Sequence, residues 1–142
     1  MEQENIVSAL GRNWEIYPEA DSKVHGLVAS GTAGVYLPFG TLVYLATNGS
    51  YYKADVSDSS EMPAVAIAAE TIAGTGDTGL FLLSGIIRND NWSLTVGDPV
   101  YASGIGDISS SSPIGYVQII GYAVGASVIR FQPSLATTFA SP

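Results

Sequence analysis

The chain has no cysteine and a single histidine among its 142 residues. Without cysteine there can be no disulfide, no thiolate metal site and no sulfur nucleophile. The redox compartment is left open by the same absence. A lone histidine, His25, cannot supply a zinc site that needs three or four nitrogen or sulfur ligands. It also lacks the orienting acid and nucleophile of a catalytic triad. Charge is scarce too: 13% of residues are charged, with Lys+Arg 5 against Asp+Glu 13 and a formal net charge of −8. A phosphate backbone repels such a chain, so nucleic acid is not an expected partner. An anionic membrane surface is disfavoured for the same reason. No apolar run approaches the roughly 20 residues of a membrane-spanning helix, and no membrane is expected as a partner. The opening Met1 to Glu15 is acidic and lacks a basic segment followed by an apolar core, so synthesis and folding in a cytoplasm are expected.

What is present is apolar and small. Hydrophobic residues make up 46% of the chain and there are 16 glycines. A chain of this length forms one domain or two very small fused ones and can bury roughly 70% of its unfolded surface. Lone soluble proteins commonly coat themselves with Lys and Glu; this one has Ser, Thr, Gly and Ala instead. Two readings follow. Either the protein is β-rich with an uncharged polar exterior, or its exterior is covered by further copies or by a larger assembly.

The first 25 residues differ from the rest. Gln3 to Leu10 suits one or two helical turns ended by Gly11, and Pro18 breaks any continuation. Trp14, Ile16 and Tyr17 stand among polar neighbours without an evident partner. Residues 1–25 therefore read as an extended N-terminal arm that orders against a neighbour, or as a frayed terminus. Residues 26–134 read as a β domain and 135–142 as a tail with Phe139 as its large anchor. Short apolar runs alternate with Gly, Ser and Asn punctuation. Leu42 to Leu45, Asn48-Gly49 and Tyr51 to Ala54 spell a hairpin. Leu80 to Ile87 is the most apolar strand, interrupted by Gly85. Gly40-Thr41-Leu42-Val43-Tyr44 and Gly97-Asp98-Pro99-Val100-Tyr101 then repeat a Gly-x-x-Val-Tyr pattern. Pro63 to Ile67 has an echo in Pro113 to Val117. The fold expected is all-β, a small barrel or sandwich built from two similar β-units at about 34–88 and 91–131.

Candidate chemistry is thin. Ser84-Gly85 lacks the first glycine and the following helix of a nucleophile elbow. Gly74 to Gly79 is glycine-rich but has no lysine and precedes a strand, so it is a turn and not a phosphate cradle. Asp55, Asp58 and Glu61 fall in one loop at spacings of three and offer at most a weak cation site, short of the ligand density and terminal bidentate Glu that calcium needs. Glu70 and Asp77 are an acid pair with no spacing that favours catalysis. Asn48-Gly49-Ser50 and Asn91-Trp92-Ser93 match a glycosylation sequon, incidental in a cytoplasmic chain. Trp14, Trp92 and the tyrosines could stack sugars, although tyrosines at alternating strand positions equally serve a core or a subunit interface. Trp92, between the two units, is the aromatic expected to cover their seam. No catalytic, cofactor-binding or metal-binding residue is assigned, and no enzyme is expected.

Gly40 to Leu45, Lys53-Ala54-Asp55, Gly85-Ile86-Ile87, Gly97 to Tyr101, Ile120-Gly121-Tyr122-Ala123 and Val128 to Phe131 together resemble tailed-phage capsid decoration proteins, also called cement proteins. The resemblance spans roughly residues 34–134 and leaves out the arm and the tail. It implies a β-barrel or β-tulip fold and a homotrimer on the outer surface of the phage capsid. The major capsid protein would be the partner, its subunit contacts the thing stabilised, and no cofactor would be needed. Trp14, Ile16 and Tyr17 are the expected capsid contacts, because aromatic side chains carry much of the energy of interfaces. Similar stretches also fit phage fibre modules, so the alternative is a head-fibre or tail-fibre module that binds the host surface.

Overall fold

A computed structural model describes residues 18–141. The expected arm anchors Trp14, Ile16 and Tyr17 lie outside the described residues. The described chain is all-β, with one strongly curled, half-barrel sheet. Its strands are β1 (Lys23–Thr32), β2 (Leu42–Leu45), β3 (Tyr51–Lys53), β4 (Ala66–Ala68), β5 (Thr78–Arg88), β6 (Pro99–Ser103), β7 (Asp107–Ser109), β9 (Ile119–Gly125) and β10 (Val128–Phe131). A second sheet pairs β8 (Gly115–Val117) with β11 (Thr138–Ala140). β1 begins inside the segment read as arm, and β11 lies inside the segment read as tail.

β5 is the spine. One of its edges pairs with β1 along the whole strand, from Thr32 opposite Thr78 to Lys23 opposite Arg88. The other edge is divided between two partners. Phe81 and Leu82 pair with β4, and Gly85 to Arg88 pair with β10. The main path then reads β3-β2-β4-β5-β10-β9-β6-β7. The two halves of that order mirror each other. The strands that follow the two Gly-x-x-Val-Tyr starts, β2 and β6, take corresponding places.

Hydrogen bonds at the two starts match as well. Gly40 N–H donates to Ala68 at 2.9 Å and Ala68 N–H donates back to Thr41 at 2.9 Å. Gly97 N–H donates to Ala123 at 2.8 Å and Ala123 N–H donates back to Asp98 at 2.9 Å. Both glycines hold positive φ, +84° and +92°, a region that side-chain-bearing residues avoid. The strand placed opposite the second start is β9, not the Pro113 to Val117 segment that echoes Pro63 to Ile67. Residues 115–117 leave the main sheet because their backbone is engaged elsewhere: Tyr116 N–H donates to Val56 at 2.7 Å and β8 pairs with β11.

The expected hairpin forms. β2 and β3 pair antiparallel, and Ala46 N–H closes the Asn48-Gly49 turn on Ser50 at 2.9 Å. The far hairpin, β6–β7, turns back across the open side of the half-barrel. There Gly106 N–H donates to Ala54 at 2.6 Å, and Leu42 and Val56 N–H donate to Gly106 and Gly104. Inside the curl, Leu42, Ile67, Leu82, Ile87, Ile120, Ile129 and Phe131 are fully buried in one cluster. Each such side chain contributes about 1.5–3 kcal/mol of transfer free energy. A smaller cluster around Leu37, Val43, Ile72 and Phe81 covers the outer face of the first half, with Tyr51 tilted against Phe81 at 4.3 Å between ring centroids.

Candidate functional site

Strand register builds a groove on the outer face of the main sheet. His25 pairs with Ile86, Ile86 with Arg130, and Arg130 with Tyr122. Residues directly opposite one another share a face of the sheet. These four therefore form one row across β1, β5, β10 and β9. The neighbouring row, with Ile87, Ile129 and Ala123, points into the core and is buried. Alternation consequently sends the His25–Tyr122 row outward. Over that row lies an open groove of about 590 Å³, lined by His25, Ser84, Ile86, Tyr122, Val124 and Arg130. Tyr122 is 48% exposed. Among the described residues, the Arg130 Nε is buried and has no hydrogen-bond partner.

The acids singled out from the sequence do local work. The Asp55 carboxylate accepts from Ser57 N–H at 2.9 Å and its hydroxyl at 2.6 Å. Asp58 accepts from Ser60 N–H at 2.9 Å and its hydroxyl at 2.7 Å, capping a single 3-10 turn at Ser59–Glu61. Those hydrogen bonds hold the Asp58 carboxyl below its ordinary value. Glu61 is pushed up, first by burial and then by the charges of Asp58 and Asp55. Among the described residues no group of three or more His, Asp or Glu is placed to hold a metal ion. Glu70 accepts from Leu80 N–H at 2.8 Å and so pins the start of β5. Arg88 pairs with Asp90 at 2.7 Å, lowering the Asp90 pKa chiefly through the hydrogen bond.

The folded Asp58 and Asp90 pKa values lie below the ordinary aspartate value of 3.8. Their stabilisation is present in full above that value and is lost as pH falls through the folded pKa. Acid unfolding followed by circular dichroism should therefore show less loss of stability below pH 3.8 in D58N and D90N than in the parent. Equal acid sensitivity in all three proteins would contradict this.

Trp92 is half-buried against the main core and lines a second cleft, about 460 Å³, with Phe39 and Gly40 of the first half and Ser103, Gly106 and Ile108 of the second. It lies between the halves, as its position in the chain suggests. Among the described residues, eleven large hydrophobic side chains are exposed. Several crowd the small sheet: Ile114, Ile119, Leu135 and Phe139, the last set edge-on to Tyr116 at 5.1 Å.

The groove was not found from the sequence. Its members are spread from position 25 to position 130 and carry no local motif. One signal was available: His25, Ile86 and Tyr122 each stand beside a mid-strand glycine, Gly26, Gly85 and Gly121. Glycine inside a strand marks a bulge or a close approach. No protein-family model, curated protein or solved structure matches the chain.

Proposed function

We propose that the chain is a viral structural protein, a decoration protein that binds the outside of a tailed-phage head and stabilises contacts between major capsid subunits. The observation that carries this reading is the apolar exterior of the β domain. Among the described residues, the half-barrel and the small sheet beside it together present eleven exposed large hydrophobic side chains on a chain poor in charge. Exposed apolar area of this kind favours burial against a partner. The short motifs shared with decoration proteins supply the kind of partner. A homotrimer at a symmetric point of the shell would let each copy make a modest contact while the assembly gains avidity. A clamp between neighbouring subunits then slows local opening under internal DNA pressure, with no reaction involved.

The test is reconstitution. Adding purified protein to heads that lack it should raise the temperature at which they release DNA, and the protein should sediment with the shells. No binding, or binding with no gain in thermal resistance, would overturn the reading. In the same assay, deletion of residues 1–17 should weaken shell binding by about tenfold or more, the loss expected when aromatic anchors leave an interface. Unchanged affinity would remove Trp14, Ile16 and Tyr17 from the contact.

A further inference from the structure

The geometry points to a second binding site: we infer that the groove over His25, Arg130 and Tyr122 takes a carboxylated sugar of the uronic-acid class. This goes beyond attachment to a shell and does not depend on it.

The cation comes first. Arg130 projects from the outward row, and its Nε is buried without a partner among the described residues. A donor buried without a partner is destabilising, the more so when it is charged. A ligand that pairs with it recovers that free energy. The guanidinium edge formed by Nε and one amino nitrogen is a planar fork, and its natural complement is a carboxylate held by two parallel hydrogen bonds. Using that edge requires the side chain to swing outward. The groove above it, about 590 Å³, has the space.

The neighbour decides what carries the carboxylate. Tyr122 is directly opposite Arg130 and 48% exposed. A half-exposed aromatic face beside a guanidinium suits a sugar ring, which lays its C–H face on the aromatic and extends its acid to the cation. Ser84 adds a hydroxyl to the lining for a ring hydroxyl. An extended peptide fits less well. The one open edge among these four strands is the outer side of β1, which ladders only with β5, and a peptide paired there would lie beside His25, two strands away from Arg130. The volume falls within the roughly 300–1,000 Å³ of ligand clefts.

Titration calorimetry of the full chain with glucuronic acid, glucose and acetate tests the site. Glucuronic acid should bind, glucose should not bind measurably, and acetate should bind at least about tenfold more weakly, because it has the charge without the ring. R130Q should lose about tenfold or more of the glucuronic acid affinity. R130K, which keeps the charge but not the fork, should recover only part of it. Y122A should weaken glucuronic acid and leave acetate unchanged. Glucuronic acid no tighter than glucose, acetate as tight as glucuronic acid, or R130Q equal to the parent would each overturn the inference. Should an Arg130 variant fail to fold, amide shift mapping on the parent decides. Shifts centred on His25, Ile86 and Tyr122 support the site, and shifts elsewhere refute it.

Discussion

Gly121→Ala is expected to lose most of the stability of the protein, about 3–5 kcal/mol, from the addition of one methyl group. Gly121 lies in β9 opposite Phe131, at φ +155°. A Cβ there would collide with the Arg130 carbonyl oxygen and stand 3.0 Å from its carbonyl carbon. The obstacle is backbone in a paired strand, so no side-chain rotation relieves it. Either the β9–β10 ladder opens or the Phe131 side of the core shifts. Phe131 is fully buried, and moving it disturbs the packing of the central cluster. The same close approach recurs on the other side of the row. Gly26 and Gly85 face each other across β1 and β5, and a Cβ on Gly26 would stand 2.7 Å from the Gly85 Cα. By contrast, nothing lies within 4 Å of a Cβ built on Gly74, and its φ is not in the positive range, so Gly74→Ala should be nearly neutral. Urea unfolding of the two variants checks this. Equal midpoints would mean that the β9–β10 register is not as described.

Gln118→Leu should cost about 3 kcal/mol although it removes a polar group from an apolar setting and barely changes volume. Gln118 is 1% exposed. Its amide oxygen accepts from Ala64 N–H at 2.8 Å, and its amide nitrogen donates to Ala64 C=O at 2.8 Å and Ser134 C=O at 2.7 Å. One side chain thus satisfies three backbone groups from two other segments. Leucine would leave both Ala64 groups buried without partners, each loss worth about 1–3 kcal/mol, and would take a donor from the part-buried Ser134 carbonyl. The C-terminal segment should loosen first, because Ser134 is one of the three. Faster hydrogen exchange at β8 and β11 would report that loosening. A Gln118→Leu protein as stable as the parent would show that these bonds add nothing net.

Much of this architecture is legible before any coordinates. Alternation and turn residues mark β2, β3 and β5, because hairpin chemistry and strand patterning are local. The Gly-x-x-Val-Tyr pair is visible for the same reason: each glycine starts a strand with the same hydrogen bonds. The order of strands is not local. Nothing in Lys23 to Thr32 says that it will run along the whole of β5, and nothing in Pro113 to Val117 says that it will leave the main sheet. Gln118 looks like a surface residue until its three backbone partners are seen. The groove is illegible for the same reason, since four strands contribute one residue each to its row. The acids are the reverse case. Asp55, Asp58 and Glu61 are close in sequence and suggest a ligand set, yet short serine hydrogen bonds occupy the two aspartates.

Where the protein sits on a particle separates shell attachment from host-surface binding. Immunogold labelling of intact virions with an antibody to this chain tests that most directly. Dense label over the head, in many copies per particle, is the predicted result. Label confined to the tail tip or to sparse projections would contradict it and make host-surface binding the leading function.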